Sequence, residues 1–377
     1  MASDPPAILQ VLPALVTGGV ERGTVDVAEG IAAAGWRALV ASSGGPMVAE
    51  LARVGAVHHT LPLATKWPLG IWSNIGRLQR LAEAEAVSLI HARSRAPAWS
   101  ARAAARRLRL PFVTTFHGTY NAGNALKRRY NSVMQAGDRV IAISRFIADH
   151  MIAEHGTDPA RIRVIPRGVN LAWFDPARVS QQRMVQLAQQ WRLPDGPPIA
   201  MLPGRLTRWK GQRVFIDALT RLKHLEWFAV IVGGDQGRGS YRAELEAMVE
   251  ARGLMDRVRL VGECRDMPAA FKLADVVVSA STDPEAFGRV AAEAQAMGKP
   301  VVASDHGGSR EILLPETTGL LVPPGDSAAL AGALAEVFTL SSAERTAIAE
   351  RAIAHVRANF TRERMVADTL AVYRELL

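Results

Sequence analysis

Cys264 is the single cysteine among 377 residues, so no disulfide can form within the chain, and a reducing compartment suits it. No uninterrupted apolar run reaches the ~18–20 residues a membrane-spanning helix needs. The longest candidates, residues 7–16 and 274–280, are of strand length. Residues 1–6 carry no basic stretch leading into a long apolar one, so they do not read as a signal peptide. A soluble, cytoplasmic protein is expected. No Asp-x-Asp stands at a strand end and no His/Cys group has metal-ligand spacing, so no metal cofactor is expected. His58 and His59 are adjacent, and on a strand they would point to opposite faces. Aromatic residues make up 6% and are not interleaved with the basic ones. That pattern argues against nucleic acid as a partner.

Charge is the first positive signal. Lys and Arg number 45 against 36 Asp and Glu, a net +9, a balance that favours anionic partners. Arg102, Arg106, Arg107 and Arg109 form one cluster, and Lys127, Arg128 and Arg129 another. Two readings stay open for them. They are solvated helix faces, or a surface that rests on an anionic membrane or grips an anionic acceptor.

Short apolar β-rich runs alternate with Ala-rich segments, the pattern of βαβ units around a parallel sheet. Strands are expected at 8–13, 37–41, 57–61, 89–92, 112–115, 139–143 and 163–165, with helices at 20–34, 71–86 and 98–108. Gly35 fits the left-handed position after the first helix. A polar, helix-prone stretch at 170–190 and the breaker cluster Pro194-Asp195-Gly196-Pro197-Pro198 then interrupt the pattern. A second series follows, with strands at 199–203, 227–232, 258–261, 276–279, 300–303 and 319–322. Its helices fall at 212–221, 241–252, 267–273, 290–297 and 328–340. The fold class is therefore α/β, with two Rossmann-like, doubly wound parallel-sheet domains facing across a shared cleft. The domains are placed at 1–172 and 173–361. Segment 362–377 is amphipathic and expected to fold back over the first.

Two loops carry chemistry. In Asp283-Pro284-Glu285-Ala286-Phe287-Gly288-Arg289-Val290-Ala291-Ala292-Glu293 a glycine opens an Ala-rich helix. Backbone N–H groups there can approach an anion and the helix dipole adds attraction. Glu285 in the loop and Glu293 two turns into the helix can bracket a ligand and accept hydrogen bonds from its hydroxyls. The plainer reading is an N-capping acid and an exposed helical one. The second loop, Gly204-Arg205-Leu206-Thr207-Arg208-Trp209-Lys210-Gly211, follows the strand at 199–203. Fixed cations at a strand's carboxyl end stabilise a leaving group that gains negative charge. Alone, a basic loop is usually just solvated.

Taken together, these loops resemble those of the family 4 glycosyltransferases of the GT-B fold, and the likeness spans nearly the whole chain. Its other carriers are Gly18-Gly19-Val20-Glu21, Phe116-His117-Gly118, Ile143-Ser144, Ile165-Pro166-Arg167-Gly168-Val169 and Val232-Gly233-Gly234. Asp305-His306-Gly307-Gly308 and Gly319-Leu320-Leu321-Val322-Pro323 complete the set. The resemblance implies a nucleotide-diphosphate sugar as donor and a glycan or glycolipid as acceptor, with no cofactor. It implies that Arg205 and Lys210 hold the donor diphosphate and that Glu285 contacts hydroxyls of the transferred sugar. Ala286, Phe287 and Gly288 lie beside that sugar, the last two presenting backbone N–H groups, and Glu293 binds the ribose. His117 matches a histidine at the reaction centre, although it equally fits a strand end. Gly18 and Gly19 match a loop passing close to the donor phosphates, although they equally fit a tight βα turn. Gly204, Gly233 and Gly234 complete the implied donor site. Arg208 and Trp209 depart from the family's usual residues and receive no role.

Members of this family retain anomeric configuration. A double displacement needs a carboxylate nucleophile under the anomeric carbon, and none is identifiable. Departure of the nucleotide with attack on the same face is the favoured scheme, because it needs positioning and electrostatics instead of a strong base. Trp67, Trp72 and Trp99 beside the Arg102–Arg109 cluster suggest a membrane-proximal glycolipid or lipopolysaccharide-core acceptor. Burial of those tryptophans is the alternative.

Overall fold

The computed structural model describes residues 4–16, 18–120, 123–235, 237 and 239–377; residues 1–3 of the N-terminal segment lie outside them. The chain divides into two compact units, 1–168 together with 362–377, and 169–361. The division falls between Gly168 and Val169, ahead of the position after Ala172 expected from the sequence. Backbone pairing decides it: the Val169 N–H donates to the Phe360 carbonyl at 2.8 Å, and Val169 bridges to Thr361. Composition, which turns polar at Asn170, cannot register such a bond.

The first unit is built on a seven-stranded parallel sheet. Its strands are β1 (Ala7–Val11), β2 (Arg37–Ser42), β3 (Val57–Thr60), β4 (Leu89–Ala92), β5 (Phe112–Phe116), β6 (Arg139–Ala142) and β7 (Ile162–Val164). They lie in the order β3-β2-β1-β4-β5-β6-β7. β1, β4 and β5 are buried along their whole length. This is why they read as continuous apolar runs: crossover helices cover both faces of a parallel sheet. Helix Gly19–Ala33 leads out of β1 and turns into β2 through Gly35, which takes the left-handed conformation at φ 75°. Helix Arg362–Arg374 packs against helix Gly19–Ala33 and sends Met365, Leu370, Val372 and Tyr373 into the core beside Ile8, Leu12 and Ile31. Beyond it, the Glu375 carboxylate is clamped by Arg139 and Arg163 at 2.7 and 2.8 Å, which pushes its pKa down to about 2.

The second unit repeats the plan with β8 (Ile199–Pro203), β9 (Phe228–Val232), β10 (Val258–Gly262), β11 (Val276–Ser279), β12 (Val301–Ser304) and β13 (Gly319–Val322). Their order is β10-β9-β8-β11-β12-β13. Phe215, Ile216, Leu219, Trp227, Leu245 and Leu334 form its core, each worth roughly 1.5–3 kcal/mol of apolar burial. In both sheets the strand order reverses between neighbours, at β1/β4 in the first and β8/β11 in the second. That switch point, at the carboxyl ends of the strands, is where a doubly wound sheet opens a crevice for ligands.

Candidate active site

In the second unit the two loops singled out from the sequence leave the sheet on either side of its switch point. The loop after β8 runs through a single 3-10 turn, Arg208–Lys210, into helix Gln212–Arg221. The loop after β11 carries Glu285 into helix Arg289–Ala296. They are locked together by backbone: the Thr282 N–H donates to the Trp209 carbonyl at 2.7 Å. Gly211, at φ 73°, passes so close to β11 that a Cβ would stand 1.8 Å from the Ala280 carbonyl oxygen. No other residue fits there.

This contact brings Lys210 onto Glu285. The Lys210 ammonium lies 2.5 Å from Glu285 Oε1, with the two side chains 15% and 13% exposed. The Ser281 hydroxyl donates to the same oxygen at 2.6 Å, and the ammonium also sits 4.4 Å from the centroid of the Trp209 ring. Two groups read as serving different parts of a ligand thus hold each other. Arg205 is exposed, and its carbonyl accepts a bond from the Gln212 amide. Arg208 is engaged elsewhere, in a fork on Glu244 at 2.6 and 3.0 Å.

The Glu285–Gly288 backbone is held by Gly307 and Gly308. The Gly308 N–H donates to the Glu285 carbonyl at 2.7 Å, and a Cβ on Gly307 or Gly308 would stand 2.5 or 2.4 Å from the carbonyl oxygen of Glu285 or Phe287. Phe287 is buried edge-to-face against Phe360, leaving Gly288, at φ 98°, to open the helix. Glu293 is buried in that helix and accepts from Arg289 at 2.6 Å. Behind the first loop, Gly233 and Gly234 follow β9. A Cβ on Gly233 would stand 1.9 Å from the Gly204 carbonyl oxygen, and one on Gly234 would meet the Glu263 carboxylate. Both glycines serve close packing.

In the first unit, Gly18 and Gly19 begin helix Gly19–Ala33 beyond β1, and His117 follows β5. The Arg167 guanidinium donates to His117 Nδ1 at 2.8 Å. Because Arg only donates, Nδ1 must be the acceptor and Nε2 carries the proton. Burial, then the charges of Arg167 and Arg93, hold the His117 pKa well below 6.5. The ring is neutral, and its Nε2–H is shielded from water with no partner among the described residues.

Sequence reasoning missed the groups behind His117. Arg93, at the end of β4, donates from Nε to Gln10 Oε1 at 2.6 Å. On β4 itself, His91 joins Tyr373 Oη at 2.6 Å and Thr115 Oγ1 at 2.7 Å. Arg167 stood inside a quoted motif, but nothing in the sequence says that Arg93 and His91 are buried. Among the described residues no three His, Cys, Asp or Glu side chains are grouped to hold a metal ion, and no helix is long and apolar enough to cross a membrane.

Two family models match the chain: Glycosyltransferase Family 4 over residues 17–173 and Glycosyl transferases group 1 over 185–355. A glycosyltransferase from Rickettsia africae ESF-5 superposes with a TM-score of 0.92 at 35% identity, covering 99% of both chains. The Anabaena protein Alr3699/HepE, solved in complex with UDP-glucose, gives 0.84 at 26% identity over 97% of this chain and 99% of that one. The lipopolysaccharide core biosynthesis mannosyltransferase LpcC of Rhizobium leguminosarum bv. viciae is 32% identical over 67% of this chain and 70% of its own. A D-inositol 3-phosphate glycosyltransferase of Xylanimonas cellulosilytica is 35% identical over 61% of this chain, a match that spans 58% of that protein's length. The two family models and these relatives define a glycosyltransferase of GT-B architecture. The chain belongs to the family 4 glycosyltransferases.

Proposed function

We propose that the chain is a retaining, metal-independent glycosyltransferase that moves a sugar from a nucleoside diphosphate to a glycan or glycolipid acceptor. We place it at the cytoplasmic face of a membrane, in the synthesis of a lipopolysaccharide core or another cell-surface polysaccharide. The observation that carries this is the Lys210–Glu285 contact at the switch point of the second sheet. It sets a cation for a diphosphate beside a carboxylate for sugar hydroxyls. The UDP-glucose bound to the Anabaena relative and the name of the Rhizobium one support the donor class and the pathway.

In this reading Arg205 and Lys210 neutralise the diphosphate as it departs, and the Phe287 and Gly288 N–H groups at the helix start assist. Glu285 accepts from hydroxyls of the transferred sugar and Glu293 from the ribose. His117 offers its Nε2–H at the reaction centre, with Gly18 and Gly19 alongside. Glu285 Oε1 already accepts from both Lys210 and Ser281, which suits it poorly to nucleophilic attack. The acceptor hydroxyl therefore attacks from the face the nucleotide leaves, and a phosphate oxygen of the leaving group takes its proton.

The membrane face rests on exposed apolar side chains. Trp67, Leu69, Trp72 and Leu126 are 70–80% exposed, and Trp72 and Leu126 line a groove of about 570 Å³ together with Lys66, Ile71, Trp99, Arg129 and Tyr130. Trp67 and Trp72 thus take the exposed alternative; Trp99 is half-buried and donates to the Tyr130 carbonyl.

Proton NMR of the first product tests the reading. Turnover with the donor's anomeric configuration kept, undiminished in excess EDTA, is expected. An inverted product, or loss of turnover on chelation restored by Mg²⁺, refutes it. Conversion of donor with no acceptor present would favour an epimerase.

A further inference from the structure

Parallel strands open their ligand crevice at the carboxyl ends, but the first unit has a second hollow at the other end, where β5 and β6 begin. It is a groove of about 560 Å³ between the end of helix Arg95–Leu108 and the starts of those two strands. Arg102, Arg106 and Arg109 line it, together with Phe112, Asp138 and Leu376. Arg102 and Arg106, four apart, share one face of the helix. Arg109 follows at the helix cap in the left-handed conformation, φ 55°. Glycine is the usual residue at such a cap. An arginine there carries backbone strain and sets a third guanidinium in the groove.

None of the three arginine side chains has a hydrogen bond, ion pair or ring contact among the described residues. Asp138 is the one acid among the lining residues, and its Oδ2 accepts from the Phe112 N–H at 2.8 Å. Glu375, next to Leu376, is already held by Arg139 and Arg163. Three guanidiniums thus share a groove with one carboxylate. The helix end explains part of this, because its free carbonyls favour cations, but that effect fades beyond the last turn. Arg102 lies before that turn, and Arg107, within it, does not line the groove. A phosphate presents several oxygens and up to two charges, so more than one guanidinium can grip it at once. A carboxylate has two oxygens in one plane and is matched by a single fork.

We propose that Arg102, Arg106 and Arg109 bind a phosphate monoester, either free or as the headgroup of a lipid. The site is independent of the glycosyltransferase reading. It needs neither donor nor acceptor, and it lies at the opposite end of β5 from His117.

Calorimetric titration of inorganic phosphate into the full-length chain reads the site as a binding step that Arg106→Gln/Arg109→Gln weakens about tenfold or more. Arg106→Lys/Arg109→Lys, which keeps the charge and loses the forks, weakens it by less. Arg107→Gln removes an exposed charge from the same turn without touching the groove, and affinity stays within about twofold of the parent. Arg106 and Arg109 are exposed as well, so thermal midpoints equal to the parent's accompany these losses. A phosphate affinity unmoved by Arg106→Gln/Arg109→Gln, or lowered as much by Arg107→Gln, overturns the site. Vesicles containing phosphatidic acid then separate the two sources. Co-sedimentation lost with Arg106→Gln/Arg109→Gln and kept with Arg107→Gln gives the groove to a lipid headgroup. Co-sedimentation alike in both gives it to a soluble phosphate ester.

Discussion

Removing the Lys210 ammonium leaves Glu285 with a charge that burial will not tolerate. Both side chains are at most 15% exposed and 2.5 Å apart, so breaking the pair from one side costs about 3–5 kcal/mol. The Ser281 hydroxyl keeps one bond to Glu285 Oε1, which argues for the lower end, about 3 kcal/mol. In a unit spanning 169–361 that amounts to roughly 6–12 °C of melting temperature. Lys210→Met should therefore melt well below the parent. Glu285→Gln strands the ammonium instead and should fall by less, since the glutamine oxygen still accepts. Lys210→Met/Glu285→Gln leaves no unpaired charge and should recover most of the Lys210→Met loss. Calorimetric melting of the four chains closes the cycle, the coupling being the departure from additivity. Catalysis should separate from stability. Turnover should stay down about 10²–10³-fold in the double variant, because the cation that stabilises the leaving phosphate is absent in both. Losses that simply add, or a double variant that regains turnover, would refute the reasoning.

Gly211→Ala adds a Cβ at a left-handed φ and 1.8 Å from the Ala280 carbonyl oxygen; urea unfolding should register a loss above about 2 kcal/mol. The pKa values of His117 and His91 are held well below 6.5, chiefly by burial. The folded chain therefore binds fewer protons than the unfolded one once pH drops below 6.5. Stability from these groups is complete above pH 6.5 and declines as pH falls toward 5, by up to about 1.4 kcal/mol per pH unit per group. His117→Asn should flatten that slope in urea midpoints, and an unchanged slope would refute the burial account. Trp67→Ser/Trp72→Ser should release the chain from vesicles of 30 mol% phosphatidylglycerol, on the order of 1.5–3 kcal/mol of apolar contact per tryptophan. Co-sedimentation equal to the parent's would remove the membrane face.

The sheets were legible because parallel strands buried on both faces leave apolar runs that survive in a single sequence. The strands at 89–92, 199–203, 276–279 and 319–322 fall where expected, and the rest shift at their ends by a residue or two. Helix Ser342–Asn359 escaped notice because it fully buries only Ala352 and Val356, too little for a 3.6-residue rhythm. Its one signal was the Ser341/Glu344 capping box. The two loops of the second unit were legible because glycine and charge stand at fixed distances from a strand. The pairing of Lys210 with Glu285, the proton on His117 Nε2 and the bond of buried Arg93 to Gln10 were not. Each depends on side chains more than twenty residues apart meeting in space, and no local pattern encodes that.

The return of residues 362–377 to the first unit sets an order of events during synthesis. Residues 169–361 form an uninterrupted stretch and can close their core without any later segment. The first 168 residues emerge earlier but lack Met365, Leu370, Val372 and Tyr373, so the oldest part of the chain waits longest with apolar surface uncovered. Chaperone dependence in this protein should therefore map to its N-terminal half.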